Sequence, residues 1–141
     1  MSLTYKYKRV NRSDKSDIKS PSFSVTLWGA GQRYEFVALL DSGADVSVIP
    51  KDVAELLGLD LNGAKEEARG IGGKVFAIQT NMNIELGKPH EKYSFRIPVK
   101  VILDNGEEEL PIILGRVGFF DKFVITFDQK NEKITLKKNI E

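Results

Sequence analysis

Ser22-Phe23-Ser24-Val25-Thr26-Leu27-Trp28 alternates polar and apolar residues with a period of two, and Gly29-Ala30-Gly31 ends the run abruptly. That period suits a half-buried strand, whose successive side chains point to opposite faces. The run therefore reads as a strand that turns back through a hairpin, and similar signals recur down the chain.

The returning strand, Arg33 to Leu40, becomes continuously apolar just before Asp41. This predicts that Asp41 sits at the end of a buried strand, where the chain turns and the core holds the carboxylate in place. After Val46-Ser47-Val48-Ile49, Pro50 suits the first turn of a short helix over Lys51 to Leu57, stopped by Gly58. Further strands are expected at Glu66 to Arg69, Lys74 to Gln79, Asn81 to Leu86, Tyr93 to Leu103 and Leu110 to Leu114. Turn signals at Gly87-Lys88-Pro89 and Asp104-Asn105-Gly106 separate some of them. A second helical turn is expected near Arg116 to Phe120, then a last hairpin of Phe123 to Phe127 with Lys133 to Lys137. The fold class is all-β with one or two short helices.

The 141 residues are 41% hydrophobic and 29% charged, which fits one globular domain around one core. Thr4 to Ser20 carries Lys6, Lys8, Arg9, Arg12, Lys15 and Lys19 with few large aliphatic side chains to offset ordering entropy. Residues 1–20 are thus expected to form a flexible or loosely docked basic arm before a domain over 21–141. Asp14 and Asp17 dilute the arm's charge, which favours a solvated tail over a nucleic-acid contact.

Lysine and arginine number 21 against 20 aspartates and glutamates, a net charge of +1, so no global field draws the chain to nucleic acid or an anionic membrane. The absence of cysteine removes disulfides, thiolate metal sites and cysteine nucleophiles, and it is compatible with a reducing cytoplasm. A single histidine, His90, argues against a zinc site; beside Pro89 and Glu91 it reads as an exposed turn residue, and Trp28 as packing. The longest apolar runs, such as Phe36-Val37-Ala38-Leu39-Leu40, hold about five residues against the roughly 20 that span a bilayer. Met1-Ser2-Leu3 leads into polar sequence without the apolar core of a secretory signal.

Three separated motifs stand out: Leu40-Asp41-Ser42-Gly43-Ala44-Asp45, Gly70-Ile71-Gly72-Gly73 and Pro111-Ile112-Ile113-Leu114-Gly115-Arg116. In order and character they resemble the retropepsin-like aspartic proteases, and the match covers roughly Phe23 to Phe120. The resemblance implies an acid-protease barrel, a catalytic Asp41, a Ser42 hydroxyl that bonds across a dimer and a Gly43 that lets backbones approach. It implies that Gly70, Ile71 and Gly72 form the tip of a mobile flap, whose glycines suit motion because they tolerate positive φ. It implies that Leu114, Gly115 and Arg116 pack behind the catalytic loop, with Arg116 paired to Asp45. It further implies that Ala44, Val48, Ile71 and Ile113 line side-chain pockets, while Gly43 and Asp45 touch the substrate backbone. The chain departs from the family pattern in its shorter glycine tip, in serine at position 42 and in its extended termini.

Plainer readings exist for each motif. Asp-Ser-Gly is an ordinary turn triplet, Gly70 to Gly73 alone is a tight turn, and Arg116 alone is a surface arginine. Asp104-Asn105-Gly106 does not read as a second catalytic aspartate: Asn105 lacks the hydroxyl, and Glu107-Glu108-Glu109 would repel a carboxylate pair. Hydrolysis by carboxylates needs two of them facing one water, so a single Asp41 implies a homodimer acting on an extended peptide, with no cofactor or metal. The alternative is an inactive module that keeps the fold for dimerisation or peptide binding.

Overall fold

A computed structural model describes residues 1–10, 18–70, 73–103 and 109–140. The expected tip residues Ile71 and Gly72, and the Asp104-Asn105-Gly106 turn with Glu107 and Glu108, lie outside them.

The chain-order elements are β1 (Leu3–Lys6), β2 (Ser22–Trp28), β3 (Tyr34–Leu40), β4 (Ser47–Pro50), α1 (Lys51–Leu57), β5 (Lys65–Gly70), β6 (Gly73–Lys88), β7 (Glu91–Ile102), β8 (Ile112–Leu114), a 3-10 turn (Phe120–Lys122), β9 (Phe123–Asp128) and β10 (Lys133–Lys138). The alternating segment forms β2 as expected, with Phe23, Val25 and Leu27 inward, and hairpins antiparallel onto β3. Pro50 is the N-cap of α1 in an extended conformation, one position before the first turn where it was expected. Gly58 ends the helix in the left-handed region, φ 69°.

A seven-stranded sheet runs β2-β3-β8-β4-β7-β6-β5, and the added β2–β6 pairing closes its first six strands into a barrel. The two strands expected at Lys74 to Gln79 and Asn81 to Leu86 are one 16-residue strand, β6, whose single long ladder with β7 runs from Ala77↔Ile102 to Lys88↔Glu91. Polar Thr80 does not break a strand when its neighbour continues to pair with it. The second helical turn lies at Phe120–Lys122, a few residues later than expected.

The segment 1–20, expected as a flexible or loosely docked arm, is paired to the rest of the chain at both of its described ends. Leu3–Lys6 forms a strand on β10, and Lys8 bridges Ser20. Leu3 and Tyr7 are buried, and they join the same apolar cluster as barrel residues Leu27, Ile84 and Ile97. A lysine-rich segment can dock because alternate residues point outward, leaving Lys6 in solvent while Leu3 reaches the core. Behind the barrel, Phe119 stacks between Phe123 (centroids 5.4 Å) and Phe95 (6.0 Å), which anchors the second sheet β1-β10-β9. Among the described residues no helix is long and apolar enough to cross a membrane.

Candidate active site

β3 delivers Asp41. Ala38 and Leu40 point into the core, and Leu40 is followed by a turn in which the Ala44 N–H donates to the Asp41 carbonyl at 3.1 Å. Asp41 is half-exposed and Ser42 and Gly43 are exposed, so the loop presents its polar groups to solvent from a buried base. The Gly43 N–H donates to Asp41 Oδ1 at 2.8 Å, which fixes the carboxylate's orientation. A Cβ at Gly43 would stand 3.2 Å from that same oxygen, so glycine leaves the carboxylate room.

β8 supplies the backing. It lies between β3 and β4, parallel to β3 through Leu39↔Ile113 and Leu40↔Leu114, and antiparallel to β4 at Val48↔Ile113. The loop from Asp41 to Val46 therefore wraps the end of β8. The Asp41 N–H donates to the Leu114 carbonyl (3.1 Å), the Arg116 N–H to Ala44 (3.0 Å) and the Val117 N–H to Asp45 (2.8 Å).

Gly115 makes this approach possible: a Cβ there would meet the Val46 carbonyl carbon and oxygen at 2.5 Å. Its N–H donates to Ser47 Oγ at 3.0 Å, and Ser47 is fully buried. Ser47 is a positioning residue that the sequence reading missed; a polar residue inside Val46-Ser47-Val48-Ile49, on the same strand face as core residue Ile49, was the available signal. The Arg116 guanidinium bonds the Asp45 carboxylate, the pairing that the resemblance implied.

The structure thus brings Asp41, Ser42, Gly43, Ala44 and Asp45 together with Leu114, Gly115 and Arg116, and sets half-buried Val48 and Ile113 opposite each other beneath them. Gly70 pairs with Gly73 at the end of the β5–β6 hairpin. Two cavities among the described residues lie elsewhere: one of about 360 Å³ is lined by Phe36, Val53 and Pro111, and one of about 480 Å³ by Leu61, Phe76 and Leu103. Neither is lined by a residue of the Asp41 loop. What the single chain provides is one oriented, accessible carboxylate on a rigid base. One such group can hold or accept a proton but cannot act as base and acid toward the same water.

A barrel closed in this order, with an Asp-Ser-Gly loop wrapped around the end of an inserted strand, defines a retropepsin-like fold. A family model described as aspartyl protease matches residues 24–116, well over half of the 141, and the chain belongs to that family. The crystal structure of a retropepsin-like aspartic protease from Rickettsia conorii superposes with a TM-score of 0.56 at 20% identity, covering 96% of this chain and 90% of that one. The retroviral protease-like domain of Ddi1 from Leishmania major gives 0.46 at 20% identity over 86% and 92% of the two chains. The EIAV protease complexed with the inhibitor HBY-793 gives 0.41 at 27% identity over 70% and 83%. No curated protein sequence matches. At 20% identity the Rickettsia likeness bears on the fold alone.

Proposed function

We propose that two copies of this chain form one aspartic endopeptidase, each contributing Asp41. The observation that carries this reading is the Asp41 carboxylate itself, half-exposed at the end of a buried strand and oriented by the Gly43 N–H. The sequence contains a single Asp-Ser-Gly, so the second carboxylate has to come from a symmetry mate.

In the dimer, the ionised Asp41 takes a proton from a water held between the pair as that water's oxygen bonds to the scissile carbonyl carbon, and the protonated one donates to the carbonyl oxygen. Collapse of the tetrahedral species returns a proton to the leaving amine. Activity is expected at acidic to mildly acidic pH, since the mechanism needs one shared proton on the pair. Ser42 bonds across the dimer, and the β5–β6 hairpin with Gly70, Ile71 and Gly72 closes over the substrate as a flap. The substrate lies extended, held by main-chain bonds to Gly43 and Asp45, with apolar side chains in pockets of Ala44, Val48, Ile71 and Ile113. Peptides with bulky apolar residues beside the cut are the expected class. Neither cofactor nor metal is needed for this chemistry, and the cysteine-free composition suits a reducing, cytoplasmic setting.

Asp41→Asn tests the reading. The variant should keep the fold and dimer and lose cleavage of a peptide library across pH. Cleavage equal to wild type removes Asp41 from the mechanism. Wild-type protein that binds library peptides but cuts none at any pH favours the inactive-module alternative.

A further inference from the structure

Three stretches of the chain converge at one end of the β1-β10-β9 sheet: the end of β1, the residues just before Ser20, and the turn between β9 and β10. Between them lies a cavity of about 300 Å³ lined by Lys6, Tyr7, Lys19, Asn131, Glu132 and Lys133. No residue of the Asp41 loop lines it.

Lys6 and Lys133 are direct cross-strand partners, and like charges in that position repel. All three lysines are exposed, and among the described residues no ion pair engages Lys6 or Lys19. Lys133 faces Asp128 on β9, but the Asn131 side chain and backbone N–H already bond that carboxylate. Within the lining, only Glu132 offsets the three ammonium groups. The register thus gathers positive charge at one point of a chain whose net charge is +1.

Tyr7 supplies a different kind of donor. It is 4% exposed, and its backbone N–H donates to the Glu132 carbonyl at 2.8 Å, yet no described residue bonds its hydroxyl. Burial first, then the charges of Asp128 and Glu132, push the phenol above the ordinary tyrosine value, so it stays protonated and able to donate. A hydroxyl on so buried a side chain gains from an acceptor in the cavity.

We propose that this cavity binds a polyphosphate group, either a free inorganic chain or the phosphate tail of a nucleotide, held by the Lys6, Lys19 and Lys133 ammoniums with the Tyr7 hydroxyl donating to a phosphate oxygen. The site goes beyond the protease reading and stands independently of it. Ammonium groups are compact donors that suit phosphate oxygens, and a phosphate chain brings several negative charges into one small volume. A single carboxylate would leave most of the lysine charge unmatched. Because Lys6 lies on β1 and Lys133 on β10, the bound anion also ties the N-terminal strand to its neighbour.

Calorimetric titration of the full chain with tripolyphosphate at low ionic strength tests the site. One site per chain is expected, and the ligand should raise the urea midpoint. Lys6→Gln and Lys133→Gln should each weaken binding about tenfold. Tyr7→Phe should weaken it about threefold, with the ligand-free midpoint near wild type because no bond within the chain is lost. Lys92→Gln, at an exposed lysine outside the cavity, and Asp41→Asn should both bind as wild type does. ATP titrated in parallel separates the sources: binding tighter than tripolyphosphate assigns the site to a nucleotide, and equal or weaker binding to the free chain. Absence of heat and of a midpoint shift with both ligands overturns the proposal. Weakening by Lys92→Gln equal to that by Lys6→Gln also overturns it, since the attraction would then be diffuse. Citrate bound as tightly as tripolyphosphate removes the phosphate assignment.

Discussion

The Arg116 guanidinium bonds the Asp45 carboxylate across 71 positions of sequence, tying the strand that backs the Asp41 loop to the loop's far end. The two side chains are 57% and 80% exposed, so solvent screens the pair.

A screened pair of this kind contributes at most about 1 kcal/mol to stability, and its effect falls on loop placement. Arg116→Ala should leave the urea midpoint nearly unchanged and lower kcat/KM about tenfold or more, because small displacements of a positioned group are costly. Arg116→Lys should recover part of the loss, keeping the charge without the planar fork. A large drop in midpoint would assign the pair to folding instead.

Ser47 acts from inside. Its hydroxyl is the acceptor for the buried Gly115 N–H, so Ser47→Ala leaves that donor unpaired at a cost of about 1–3 kcal/mol. Chemical denaturation of the variant measures this directly; an unchanged midpoint would mean that the N–H finds another acceptor.

Gly115→Ala sets a methyl group 2.5 Å from the Val46 backbone, which is held by its bridge to Val117. The expected outcome is destabilisation by about 1–3 kcal/mol together with reduced peptide cleavage, since the Asp41 loop must shift to admit the new atom. Wild-type stability with wild-type cleavage would show that the contact is slack.

Asp128 is held below the ordinary aspartate range, first by the Asn131 side-chain bond, then by the Asn131 backbone N–H and the charge of Lys133. A depressed folded-state pKa adds stability that is complete above the unfolded value and lost as pH falls through the folded one. Asn131→Ala should therefore be less stable than wild type near neutral pH, and the gap should close as pH drops below the carboxylate range. Denaturant titrations at a series of pH values and constant protein concentration measure it; a gap that widens in acid contradicts the assignment.

Much of the fold was legible locally. Period-two alternation placed β2, the apolar run placed β3 and its terminal Asp41, and Gly58 closed α1, because each signal depends on neighbours a few residues away. The grouping of Asp41, Asp45 and Arg116 was legible only through the resemblance, since nothing local links positions so far apart. Ser47 escaped notice because one buried hydroxyl looks like any strand serine until its partner is known.

By itself, then, the amino-acid sequence determined which residues turn inward, where the chain reverses and which loop carries the lone Asp-Ser-Gly. Strand partners were decided by the tertiary structure: the three-residue β8 enters between β3 and β4, and a basic N-terminal segment pairs with the C-terminal strand. The physical reason is range. Alternation specifies a strand's faces, whereas its edges bond whichever chain the packing of the whole core brings alongside.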